Sequence, residues 1–136
     1  MHDEALAVAT RALARREHSA RGLRERLLRA GVSDTDADDA LEELRRVGLL
    51  DDGRFANERA RVLAERGKSD AAIRFDLERA GVETAEVEDA MATLEPESGR
   101  AARVVERRGP TPATARLLAG RGFDEAVVEG LVARDG

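Results

Sequence analysis

Few residues in this chain have the types and spacing that chemistry needs. Histidine occurs twice, at His2 and His18, and neither stands in a metal-binding spacing such as HExxH. His18 precedes Ser19, a residue suited to cap a helix, so the expectation there is an imidazolium in a favourable helix dipole. Asp34, Asp36, Asp38 and Asp39 begin like a calcium loop, but Asp39 stands where that loop needs glycine and Arg45 where it needs glutamate. They read instead as acid gathered at a helix N-terminus. Gly120-Arg121-Gly122 lacks the further glycines, the lysine and the preceding strand of a phosphate loop, and reads as a helix-ending turn. There is no cysteine, which excludes thiol chemistry, disulfides and Cys-ligated zinc. No nucleophile–base pair and no metal cluster emerges. The expectation is a protein that is not an enzyme, with no cofactor, no metal and no small-molecule substrate.

Arginine is the remaining candidate. The chain has 22 arginines against the single Lys68, and they are segregated by position. Arg21, Arg24, Arg26 and Arg29 fall in one segment, with Arg15 and Arg16 just before it. Lys68, Arg74 and Arg79 recur further on, near Arg66, and Arg103, Arg107, Arg108, Arg116 and Arg121 lie near the end. Acid concentrates elsewhere, at Asp34 to Glu43 and Glu83 to Asp89. One reading is a solvated helix face held by local ion pairs. The other is a basic stripe that meets an acidic or nucleic-acid surface. On that reading Arg21, Arg24, Arg26, Lys68, Arg74, Arg79, Arg107 and Arg108 face the partner. The formal net charge of −5 speaks for a protein partner over bare DNA phosphate. Aromatic platforms for single-stranded nucleic acid are scarce, since Phe55, Phe75 and Phe123 are the only aromatic residues.

These residues need a scaffold, and the composition selects one. Ala, Leu, Arg and Glu dominate, and all four are strong helix formers. Aromatic residues make up 2% of the chain, too few for a sandwich or barrel. No segment approaches the roughly 18 apolar residues of a membrane span. The start, MHDEALAVAT, is acidic and does not read as a signal peptide. The expectation is a cytoplasmic protein without membrane contact.

Internal repetition gives the architecture. Sliding the chain by 50 positions superimposes Arg29-Ala30-Gly31-Val32 on Arg79-Ala80-Gly81-Val82 without a gap. In the same register Ser19 meets Ser69, Arg24 meets Arg74, Leu27 meets Leu77, and Asp39, Ala40 and Leu44 meet Asp89, Ala90 and Leu94. A weaker third copy follows 41 positions on, where Leu77 meets Leu118 and Gly81 meets Gly122. Each copy reads as three helices. The first has a stripe at Leu6, Ala9 and Leu13, then a helix capped by Ser19 with Leu23, Leu27 and Leu28. Gly31 stops that helix, and Ser33 caps a third carrying Ala37, Ala40, Leu41 and Leu44. In the second copy Asp51 or Asp52 caps a helix with Phe55, Val62 and Leu63. Ser69 caps one with Ile73 and Leu77, and after Gly81, Thr84 caps one with Val87, Met91 and Leu94. In the third, Val104 and Val105 mark the first helix, Thr111-Pro112 opens the second, and Phe123 ahead of Asp124 staples onto Val128.

The expectation is an all-α chain of about nine helices in three triplets, at residues 1–50, 51–95 and a degenerate 96–136. A triplet of ~40 residues has little core of its own, so the triplets are expected to stack into an elongated, curved array. Asp51, Asp52 and Phe55 are expected to build the first junction, with Phe55 as core, and Gly31, Gly81 and Gly122 to shape the turns.

Several segments resemble a known family. Ala14-Arg15-Arg16-Glu17-His18-Ser19, followed by Leu23, Leu27 and Gly31, is similar to the first-repeat signature of RecX regulatory proteins. Leu49-Leu50-Asp51-Asp52-Gly53-Arg54-Phe55-Ala56, with Gly48 in front, resembles that family's GLLDDxRFA stretch. Arg66-Gly67-Lys68-Ser69, then Ile73, Leu77 and Gly81-Val82, resembles its second repeat. The likeness is specific over about residues 10 to 94 and one of pattern beyond that. It implies tandem three-helix repeats that bind the RecA recombinase filament on single-stranded DNA. It implies inhibition of the recombinase's ATPase and strand exchange, and so restraint of recombination and the SOS response. On this reading a monomer lies in the filament groove, its basic faces against acidic filament surface or exposed DNA backbone. Two readings compete: a direct DNA-binding module of helix-turn-helix-like triplets, and an adaptor for another protein.

Overall fold

The computed structural model describes residues 2–132, apart from the side chain of His2. The described residues form nine α-helices: α1 (His2–Arg15), α2 (Ala20–Arg29), α3 (Asp34–Arg46), α4 (Asp52–Glu65), α5 (Asp70–Arg79), α6 (Thr84–Ala92), α7 (Glu97–Arg108), α8 (Pro112–Gly120) and α9 (Glu125–Val132). No strand occurs among them.

Helix starts follow local side-chain chemistry. The oxygens of Ser19, Ser33, Asp51, Ser69 and Thr111 accept from the backbone N–H of Gly22, Asp36, Arg54, Ala72 and Thr114. The Asp124 carboxylate likewise accepts from Ala126 N–H at 2.9 Å. The cap of α6 differs from expectation. Thr84 is the first helical residue, and Glu83 stands at the cap without a side-chain bond. Glu83 is the 50-residue equivalent of Ser33, so the repeat register, which sends Val87 and Met91 inward, overrides the local preference for threonine. Helix ends are equally regular. Gly31, Gly81 and Gly122 adopt φ of 89°, 87° and 89°. After each, Val32, Val82 and Phe123 donate back to Leu27, Leu77 and Leu118, which closes the left-handed C-terminal motif.

The core is split in three. Leu23, Leu27, Ala37, Ala40, Leu41, Leu44 and Leu50 form the first cluster with Ala5, Ala9 and Ala12. The buried stripe of α1 is thus alanine, while Leu6 and Leu13 are only partly buried. Small residues let α1 lie close on α3. The second cluster includes Phe55, Ala56, Ala60, Leu63, Ile73, Leu77, Val87 and Met91. The third has Ala101, Val104, Leu118, Phe123 and Val128. Phe55 belongs to the core of its own triplet. All substantial helix–helix packing lies within a triplet. The triplets meet through a polar joint, in which Asp52 takes the expected part.

That joint is built on helix ends, and it occurs twice. The Asp52 carboxylate, on the first residue of α4, accepts from the N–H of Ala20, the first residue of α2, at 2.7 Å. The Glu97 carboxylate, on the first residue of α7, accepts from the N–H of Asp70, the first residue of α5, at 3.3 Å. The second helices meet end to end. Arg21 at the start of α2 covers Gly81 at the end of α5, where an added Cβ would lie 2.8 Å from the Arg21 Cβ. The Ser69 Oγ at the start of α5 would lie 2.8 Å from a Cβ on Gly122, at the end of α8. Arginines pin both joints. Arg54 pairs with Glu17 and donates to the carbonyls of Gly48 and Leu49. Arg100 pairs with Asp70 and donates to the carbonyls of Lys68 and Glu95. The pattern has one exception at α8, whose first residue is Pro112, without an N–H.

Gly31 and Gly81 provide a matched comparison, because nothing lies within 4 Å of the Cβ position at Gly31. Gly31→Ala is expected to cost about 1–2 kcal/mol through backbone conformation alone. Gly81→Ala must also displace Arg21 and is expected to lower the melting temperature further. Thermal unfolding followed by circular dichroism compares them, and equal losses would show that the joint does not press on Gly81.

Candidate functional site

The joint between the first two triplets separates charge. On one side a groove of about 400 Å³ is lined by Arg16, Arg21, Arg26, Arg29 and Arg79, with Glu25, His18 and Phe55. None of these five arginines forms an ion pair among the described residues. Arg59 also lines the groove, but Asp76 engages it in two bonds of 2.9 and 3.0 Å, and this pairing raises its pKa. The second joint has a related groove of about 420 Å³, lined by Arg66, Arg107, Arg108 and Arg121. The uncompensated guanidinium groups therefore recur at both joints.

The other side of the first joint is acidic. A broader cleft of about 860 Å³ includes Asp38, Glu42, Asp51, Asp52, Glu83 and Glu86, with Arg21, Arg24 and Arg45 among its walls. Partial burial raises the Glu86 pKa, and the nearby charges of Asp52, Asp51, Glu83 and Asp89 raise it further.

This geometry divides the arginines singled out in the sequence. Arg21, Arg26 and Arg79 line the first basic groove, and Arg107 and Arg108 line the second. Arg24 lies elsewhere, bound to Asp34 at 3.1 Å and Asp38 at 2.8 Å. Arg74 makes the equivalent two-pronged contact with Glu88, at 2.9 and 3.0 Å. The basic second helix is thus neutralised by the acidic third helix on one flank and left uncompensated on the other. Lys68 is exposed, and its carbonyl, not its ammonium, enters the second joint. Arg16, Arg29, Arg66 and Arg121 join the grooves without having been singled out as partner contacts. The helical period carries part of the signal for α2: at ~100° per residue, Arg26 and Arg29 fall away from Arg24, which flanks the core stripe, while Arg21, three residues before Arg24, stays near it and reaches the groove from the start of the helix.

His18 corrects the expected imidazolium. It is buried, and its Nε2 donates to the Ala12 carbonyl at 3.2 Å. Burial first, and then the charge of Arg16, depress its pKa below 6.5, so the neutral ring is the folded form. Asp34 and Asp38, weighed above as calcium ligands, are the partners of Arg24.

Residues 5–44 match the family described as RecX, first three-helix domain. No curated protein sequence matches the chain. Solved structures that share the fold include the following two. One is described as the crystal structure of regulatory protein RecX, with a TM-score of 0.80 at 18% identity over 98% of this chain and 72% of that one. The other is RecX from Lactobacillus salivarius, with a TM-score of 0.80 at 13% identity over 97% of this chain and 94% of that one. The resemblance read in the sequence is met twice: residues 5–44 match the RecX first three-helix domain, and the all-α fold is similar to that of the two RecX structures. No helix among the described residues is long and apolar enough to cross a membrane.

The His18 geometry sets a pH dependence. An imidazole held below 6.5 in the folded state contributes stability that is complete above pH 6.5. That contribution is lost as pH falls from 6.5 through the folded value, because the unfolded chain takes up the proton first. Urea unfolding between pH 7.5 and 5.5 is expected to show a steeper loss in the natural protein than in His18→Gln. Parallel pH profiles would contradict the buried neutral ring.

Proposed function

We propose that this chain binds the RecA recombinase filament on single-stranded DNA and inhibits its ATPase and strand exchange. It acts in the cytoplasm, as a monomer, by binding and not by catalysis. The observation that carries this reading is the set of five uncompensated arginines at the first joint, presented on a RecX-like fold. Their recurrence at the second joint gives an extended polyanion-complementary surface, on which modest contacts add up. Arg16, Arg21, Arg26, Arg29, Arg79, Arg107 and Arg108 are the contacts proposed here. Arg24 and Arg74 support them by holding the third helices. The triplets at 1–50, 51–95 and 96–136 serve as one array.

Titration into single-stranded-DNA-dependent ATP hydrolysis by RecA tests the reading, with bare-DNA binding as the control. Inhibition is expected well below the concentrations that bind bare DNA. Removing two groove charges together, in Arg26→Ala with Arg29→Ala, is expected to weaken inhibition roughly tenfold with helicity unchanged, on the order of 0.7 kcal/mol per charge. Undiminished hydrolysis alongside tight, steeply salt-dependent binding to bare DNA would replace this reading with the DNA-binding one.

A further inference from the structure

Phe75 is exposed to 61%, although the chain has only three aromatic residues. It lies on α5, whose core contacts are supplied by Ile73 and Leu77. The repeat provides an internal control for this position. Its equivalents are Glu25 in the first triplet and Arg116 in the third, both charged and both exposed. Folding therefore asks only for a solvated residue here, and the second triplet places a bare ring.

The surroundings of the ring are specific. One turn along α5, the Arg79 guanidinium carbon lies 5.8 Å from the ring centroid. Arg79 is also a wall of the first basic groove. Phe75 is thus joined through Arg79 to the groove that Arg16, Arg21, Arg26 and Arg29 line together with Glu25. An aromatic ring beside arginine, next to uncompensated positive charge, is the composition of an interface anchor.

We infer that Phe75 and Arg79 anchor an acidic protein segment that sets an apolar side chain against the ring and its carboxylates against the groove arginines. This rests on the filament reading and names the chemistry of the filament surface that it needs. Charge complementarity selects the occupant. The groove calls for negative charge, while the cleft on the far side of the same joint carries Asp38, Glu42, Asp51, Asp52, Glu83 and Glu86 and repels a long polyanion. Arg79 already covers part of the ring, which leaves an apolar edge better suited to an aliphatic side chain than to a stacked base.

The test uses the full chain, RecA filaments on single-stranded DNA, and the same DNA bare. Phe75→Ala and Phe75→Leu are compared with the natural protein, and unchanged melting temperatures confirm intact folds. Phe75→Ala is expected to weaken filament binding about tenfold or more. Phe75→Leu, which keeps the apolar surface, is expected to recover most of it, and neither is expected to change bare-DNA binding. Unaltered filament affinity in Phe75→Ala would overturn the anchor and leave the filament reading standing. A parallel loss on bare DNA, shared by Phe75→Leu, would replace the acidic segment with a stacked base. Absence of filament binding by the natural protein would remove both the reading and the anchor.

Discussion

An α-helix begins with N–H groups that its own turns cannot satisfy and ends with carbonyls in the same position. In this chain those unsatisfied ends are where one triplet meets the next. The start of α2 is closed by its own Ser19 and by Asp52 of the following triplet. The start of α5 is closed in the same way by Ser69 and Glu97. Because α2 and α5 also abut the glycine ends of α5 and α8, opposite helix poles face each other along the array. The apolar cores, three small clusters without substantial packing between them, depend on this polar joint for their mutual placement.

The joint also explains where charge accumulates. Helix starts draw in acid, so Asp51, Asp52, Glu83 and Glu86 gather on one side. Helix ends draw in base, so Arg16, Arg29, Arg79, Arg66, Arg108 and Arg121 gather on the other. A net charge of −5 hides this separation. The array is bipolar across its first joint.

Much of this was legible in the sequence because it is local. Ser19, Ser33, Ser69 and Thr111 cap helices through partners three residues away, and the repeat offset placed them. Thr84 misled because the register of its triplet outranked its own propensity. His18 misled because its burial depends on how the α1–α2 turn folds back onto Ala12. The arginine candidates were only half legible. Arg24 and Asp38 are 14 residues apart, as are Arg74 and Glu88, so the pairing that occupies them depends on how adjacent helices pack. Arg54 and Arg100 reach partners 37 and 30 residues away, and no local pattern announces a joint at that range. Within α2, the helical period separates Arg24 from Arg26 and Arg29 but not from Arg21, three residues before it.

The first residue of α8 carries a consequence for the length of the array. Repeat proteins elongate when each unit offers the next the same coupling. Ala20 and Asp70 offer a backbone N–H, and an acid on the neighbouring triplet takes it. Pro112 has none to offer. A further unit, whether another triplet or another molecule, would find no donor for its acid there. Proline at that position thus leaves the start of α8 without this one coupling, and it does so without a bulky cap. The cost in local stability is nil, since proline suits the first turn of a helix. One residue type thus keeps the start of α8 intact as a helix and removes the donor that α2 and α5 offer at the same place.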